Sequence, residues 1–221
     1  MKHFLVILIF LCSFGQLMIA QKINIGNLWA SYSMKYSVNE KWKVYGEAQW
    51  RLDNYSSTPT PFLVDFSGRN KVNKVFSIKL QYRYRWVNGE RNTQRLAIDG
   101  RFKWKAWDKK LRIQYRTRLQ VTRVNYNGQI ISGWRNKVGI ERVFSKKFSV
   151  YANYENFIQV LKLKSFIRID APQFNKNRYT LGVNYKFKKN EFNAFYRIDQ
   201  SLNYDNVLIH ILGLGITRKL T

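Results

Sequence analysis

Cysteine is all but missing from this chain of 221 residues, with Cys12 the only one. A single thiol excludes a disulfide framework and a thiolate metal cage. Histidine is nearly as scarce: His3 and His210 leave little for imidazole catalysis or metal binding. Only 3 prolines occur, and Pro59 and Pro61 share one polar segment, so long stretches can run as uninterrupted sheet. Negative charge is the third shortage, with 13 Asp and Glu against 39 Lys and Arg, a formal net charge of +26. In a chain with 16% aromatics, such a balance suits a nucleic-acid binder or a protein at a membrane. Long apolar runs are also lacking: beyond Ala20 none approaches the ~20 residues of a membrane-crossing helix.

The first twenty residues, MKHFLVILIFLCSFGQLMIA, decide between the two settings. A basic start, an apolar core and Ala20 before Gln21 read as a secretory signal peptide, which predicts residues 1–20 as signal and 21–221 as one domain. A lipoprotein reading of Cys12 is disfavoured because Leu11 stands where a small residue is expected. If Cys12 leaves with the signal, no cysteine remains. Export also keeps the chain from cytoplasmic nucleic acid, so no nucleic-acid partner is expected.

What the chain has in abundance is alternation. In Leu111–Val121, Leu111, Ile113, Tyr115, Leu119 and Val121 share one side of an extended ribbon. Arg112, Gln114, Arg116, Arg118 and Gln120 occupy the other. The pattern recurs through Trp42–Leu52, Phe76–Trp86 and Leu96–Trp104, and less regularly elsewhere. Trp42, Trp50, Trp86, Trp104 and Trp134 fall near strand ends, as interfacial aromatic girdles do. Connections alternate between short lysine-bearing turns and longer polar segments (53–61, 87–93, 123–133, 156–176). These features predict an all-β fold, an antiparallel up-and-down transmembrane β-barrel of ten or twelve strands. Eleven candidate strands can be counted. Leu161–Asp170 could supply a twelfth, or Lys22–Ile25 a short first strand turning at Gly26–Asn27. The lysine turns are expected on the periplasmic side, where their ammonium groups reach lipid phosphates.

Several short motifs carry a family resemblance across nearly the whole mature chain. They are Asn27-Leu-Trp-Ala-Ser-Tyr, Glu47-Ala-Gln-Trp-Arg51, Glu90-Arg91, Arg116-Thr-Arg118, Arg135, Tyr154-Glu155-Asn-Phe157 and Asn177-Arg178-Tyr-Thr-Leu-Gly182. In order and spacing they resemble the bacterial outer-membrane barrel family known as domain of unknown function 2490. The resemblance implies an outer-membrane barrel and brings no activity, substrate or catalytic residue with it. The chain departs from common outer-membrane barrels by ending on Lys219-Leu220-Thr221 rather than on an aromatic residue.

No constellation of residues points to catalysis or to a cofactor. His210 stands among Leu208, Leu212 and Leu214 without a nearby serine, and reads as a strand residue with a local partner. The carboxylates show no metal-ligand spacing, and no glycine-rich phosphate loop occurs. The chain is therefore expected to be no enzyme and to carry no cofactor. The inward basic residues are the informative ones: Arg83, Arg85, Arg101, Lys103, Arg112, Arg116 and Arg118, with Glu47, Asp99, Glu141 and Glu155 as lumen carboxylates. Arg116 and Arg118, like Arg83 and Arg85, lie about 7 Å apart on one face by strand rise. Too few carboxylates exist to pair every cation, so some must meet water or anions. The expected function is a porin-like narrow pore or binding barrel for small anionic solutes, in contact with lipids of a Gram-negative outer membrane. The alternatives are a structural or surface-interaction barrel with a plugged lumen and, further off, a lipid-modifying enzyme.

Overall fold

The computed structural model describes residues 24–53, 61–87, 92–107, 110–125, 128–163, 173–202 and 207–220. The signal-peptide reading of residues 1–20 lies outside them. Eleven strands follow one another without a helix among the described residues. They are β1 (Asn24–Ser37), β2 (Trp42–Asp53), β3 (Phe62–Lys71), β4 (Phe76–Trp86), β5 (Thr93–Ala106) and β6 (Leu111–Val124). After them come β7 (Ile130–Val143), β8 (Phe148–Leu163), β9 (Gln173–Phe187), β10 (Asn190–Ser201) and β11 (Leu208–Leu220). Each strand pairs with its sequence neighbour, and β1 pairs with β11 to close the barrel.

The closing pair corrects two expectations. Strand direction alternates round an up-and-down ring, so only an even number closes antiparallel throughout. With eleven, β1 and β11 must run the same way, and they do, with Leu28 opposite Leu212 and Ser31 opposite Gly215. The barrel is thus mixed, and neither ten nor twelve strands are present among the described residues. Of the short first strand expected at Lys22–Ile25, Lys22 and Ile23 lie outside the described residues, while Asn24 and Ile25 belong to β1, which passes Gly26 with a shift of register. Of the other candidate for an extra strand, residues 161–163 extend β8, and 164–170 lie outside the described residues. Segments 123–133 and 156–176, read as loops, are also partly strand, because each ladder continues beyond the point where the alternation fades.

The hairpins give the barrel two unlike rims. At the short-turn rim a polar side chain ties each of three turns. Asn39 Oδ1 accepts from the amides of Lys41 (2.9 Å) and Trp42 (2.7 Å), and Asn73 Oδ1 from those of Val75 (2.8 Å) and Phe76 (2.7 Å). Ser145 Oγ does the same for Lys147 (3.2 Å) and Phe148 (3.0 Å). An Asn or Ser two and three residues before a strand thus acts as a local template for the turn. Between β9 and β10 only Lys188 and Lys189 remain, and Lys188 takes φ 51°, the left-handed region that glycine fills without strain. Lys188→Gly should raise stability by about 1 kcal/mol, read as a higher urea midpoint with an unchanged slope. A lowered midpoint would contradict this turn geometry.

The outer face is apolar and exposed: Leu80 is 61% accessible, Leu119 58% and Leu214 60%. Aromatic residues gather toward both rims. Trp50, Phe62, Trp86 and Tyr84 form one chain of ring contacts at 4.2–6.1 Å, near the long-loop rim. Phe76, Phe102, Trp104 and Tyr115 form another at 4.7–6.3 Å, toward the short turns. The inner face carries the charge, so the inside-out polarity implied by the alternation is realised. Glycines there let rings lie along the wall. A Cβ on Gly213 would run into the Phe195 ring, and one on Gly182 would come within 2.5 Å of Tyr151.

Candidate functional site in the lumen

The sequence places Lys and Arg on the inward side of most strands, and the register brings particular carboxylates opposite them. Asp65 of β3 faces Arg83 of β4, which grips it with two bonds of 2.7 and 2.5 Å. Asp99 of β5 faces Arg118 of β6 and is wholly buried, at 0% exposure. It accepts from Arg118 Nε at 2.5 Å and Nη2 at 2.9 Å, and from Arg101 Nη2 at 3.0 Å. On β10, Asp199 takes Arg178 at 2.6 and 2.7 Å and Lys176 at 3.0 Å. Glu141 meets Arg112 at 3.3 Å and the Ser149 hydroxyl at 2.7 Å. Two-pronged guanidinium–carboxylate bonding is among the strongest of protein hydrogen bonds, and burial shields it from competing water.

Other bonds reach past the neighbouring strand. Glu155 of β8 binds Arg135 of β7 at 2.9 Å and Arg116 of β6, and Arg178 of β9 stands at 3.7 Å. Arg118 also donates to Gln81 of β4 at 2.6 Å, bridging over β5. The lumen is therefore cross-braced around Asp99 and Glu155.

Each basic residue singled out from the sequence lies on the inner wall. Arg83, Arg101, Arg112, Arg116 and Arg118 are ion-paired. Arg85 stands opposite Leu63 toward the long-loop rim. Lys103 forms no ion pair among the described residues, and neither do Lys79 and Lys137. Of the carboxylates, Asp99, Glu141 and Glu155 are network centres. Glu47 sits opposite Ser33 and Asp65, without an ion pair among the described residues.

Asp65 and Asp199 prove as central as the carboxylates named from sequence, and Arg135, Arg178 and Arg197 as central as the named arginines. Two aromatics, the buried Trp29 and the half-buried Phe157, also join the site. The Arg51 guanidinium lies 3.8 Å from the centre of the Trp29 ring, with Arg197 at 4.9 Å. Phe157 receives Arg135 at 4.1 Å, Lys176 at 4.7 Å and Arg178 at 4.9 Å. A ring face attracts a guanidinium through its quadrupole, so these residues share the task of the scarce carboxylates. The available signal was Trp29 falling out of phase with its outward neighbours Leu28 and Ala30.

Two cavities border these charged residues. A cavity of 370 Å³ lies at the long-loop end, lined among others by Gln120, Arg135, Phe157, Gln159, Asn175 and Lys176. A smaller one of 130 Å³ lies among Arg101, Lys103, Gln114, Arg116 and Lys137. His210 is outside the lumen altogether. It shares the outer face with Leu212, and its Nδ1 meets the hydroxyl of Tyr196 on β10, the local partner that a strand histidine needs. Among the described residues no group of three or more His, Cys, Asp or Glu is placed to hold a metal ion.

A search of curated proteins returns no match to this chain. The family described as "Protein of unknown function (DUF2490)" matches residues 26–206, from the bulge in β1 to the segment that leads into β11. The match takes in ten of the eleven strands, including the residues of the Asp99 and Glu155 networks, and it agrees with the motifs around Trp29, Glu47, Glu155 and Arg178. The chain belongs to the DUF2490 family.

Proposed function

We propose that this chain is an outer-membrane β-barrel whose basic lumen admits and binds small anionic solutes. The observation that carries the reading is the unmatched charge of the inner wall. Lys79, Lys103 and Lys137 form no ion pair among the described residues, while Asp65, Asp99, Glu141, Glu155 and Asp199 already serve one or more other cations. Fixed cations in a low-dielectric wall attract anions and repel cations. The apolar outer face supports a membrane setting, since a monomer in water rarely leaves so wide a surface bare. Aromatic groups toward both rims fit interfacial girdles, and the N-terminal signal fits export. The lysine turns are assigned to the periplasm, with ammonium groups at lipid phosphates. No catalytic role and no cofactor are assigned to the chain.

Planar-bilayer recording of refolded protein tests this reading. Under a potassium chloride gradient the reversal potential should report preference for chloride, weakening as salt approaches 1 M, where the Debye length falls to ~3 Å. Lys79→Gln with Lys137→Gln should shift it toward neutrality. These two are better probes than Arg116 and Arg118, which are braces and not free charges. A cation-selective wild type would end the proposal. A second reading, a plugged structural barrel, is favoured by the bridges from Arg116 to Glu155 and from Arg118 to Gln81, which span non-adjacent strands. Absence of conductance in a correctly folded barrel would select it.

A further inference from the structure

We infer that the pocket formed by Arg101, Lys103, Gln114, Arg116 and Lys137 is a binding site for one small oxyanion of phosphate or sulfate type. This rests on the anion-admitting lumen proposed above and adds a specific station within it. Three facts converge on the pocket. First, the register sets Arg101 of β5, Arg116 of β6 and Lys137 of β7 side by side, one per strand. Like charges directly opposite one another repel, and the carboxylate that ends this row, Glu155 opposite Lys137, is bonded to Arg116 and Arg135, with Arg178 close by, rather than to Lys137.

Second, the surrounding carboxylates are already engaged. Asp99 is shared by Arg118 and Arg101, and Glu155 by Arg116, Arg135 and Arg178. Glu141, toward the short-turn rim, holds Arg112 and Ser149. No carboxylate lines the pocket itself.

Third, donors are left over. Arg116 Nε is buried without a hydrogen-bond partner, and Lys103 and Lys137 make no ion pair among the described residues. An oxyanion offers several acceptors to donors arriving from different strands, which one water or one chloride cannot match. The 130 Å³ of space suits an ion of that size and excludes a large organic anion unless the walls move. Lys103 is exposed near the short-turn rim, so the pocket can fill from that side.

The test is titration calorimetry of the detergent-folded wild-type barrel with inorganic phosphate, in a non-ionic detergent at low salt. One saturable site per chain is expected. Lys137→Gln and Lys103→Gln each remove a donor without breaking an ion pair, and each should weaken binding about tenfold or more. Lys41→Gln, in a turn outside the pocket, should leave the affinity unchanged. Heat-modifiable gel migration would confirm that each variant is folded. No saturable binding by the wild type overturns the inference, and so does binding that both pocket variants leave intact. Phosphate binding without conductance would keep the site and remove the pore. Chloride-selective conductance without phosphate binding would do the reverse.

Discussion

Asp99→Ala should cost the barrel about 3–5 kcal/mol, the typical penalty for removing one partner of a buried ion pair. Asp99 is fully enclosed and accepts from Arg118 through two nitrogens and from Arg101 through one. Without it, Arg118, at 5% exposure, keeps only the Gln81 amide oxygen, and its charge stays buried among other cations. The loss should appear as a lowered midpoint in urea unfolding of the folded barrel, followed by tryptophan fluorescence. Replacing both residues, Asp99→Leu with Arg118→Met, should recover much of it, since a well-packed apolar pair often equals a buried ion pair. That recovery separates the penalty of an orphaned charge from the net worth of the pair. A single-variant loss below about 1 kcal/mol, the size of an exposed surface pair, would show that the lumen is not braced at this point.

Trp29→Ala should be comparably damaging, at about 3–5 kcal/mol for truncating a buried tryptophan. Trp29 is 6% exposed on β1, flanked in register by Gly213 of β11 and Arg51 of β2. Its ring faces Arg51, Arg197 and Arg178, at 3.8, 4.9 and 5.9 Å, so its removal leaves three guanidiniums without the same neutral surface. Trp29→Phe should behave differently. The indole Nε1 is buried without an acceptor, so phenylalanine keeps a ring face and sheds an unsatisfied donor. A cost below about 1.5 kcal/mol is expected for that near-conservative swap. Equal damage from Phe and Ala would mean that the indole fills the seam by shape, with its interaction with the guanidiniums incidental.

Trp29 also reports on closure, because it stands at the parallel seam between β1 and β11. Parallel ladders are slightly less stable per residue than antiparallel ones, so a barrel with one such pair gains most from side-chain contacts across it. Trp29 reaches past β11 from β1 to Arg197 of β10, while the missing side chain of Gly213 leaves room for the Phe195 ring. A Cβ at Gly215 would come within 2.7 Å of the Ser31 hydroxyl.

Much of this was legible in the amino-acid order. The period-2 alternation specifies strands, and it determines which of Arg83, Arg101, Arg116 and Arg118 share a face, because a strand side chain has only two directions to choose from. The shortage of acid residues likewise establishes that cations must outnumber their partners in the lumen. The alternation gives eleven strands, but the closure that admits an odd number was not legible. Hydrogen bonds across the β1–β11 seam join residues nearly a chain length apart, and no local pattern records whether the last strand meets the first parallel or antiparallel. Nor does a face assignment say which strand residues stand opposite each other. Asp65 with Arg83, Asp99 with Arg118 and Asp199 with Arg178 become pairs only once each hairpin's register is set. The braces from Arg116 to Glu155 and from Arg118 to Gln81 required still more, since they depend on the curvature that brings strands two apart within reach. The chain's sequence determined by itself a ribbon with one oily and one cationic face. Only register and closure into a ring decided which charges are paired among the described residues, because pairing depends on distances between strands that the one-dimensional order does not contain.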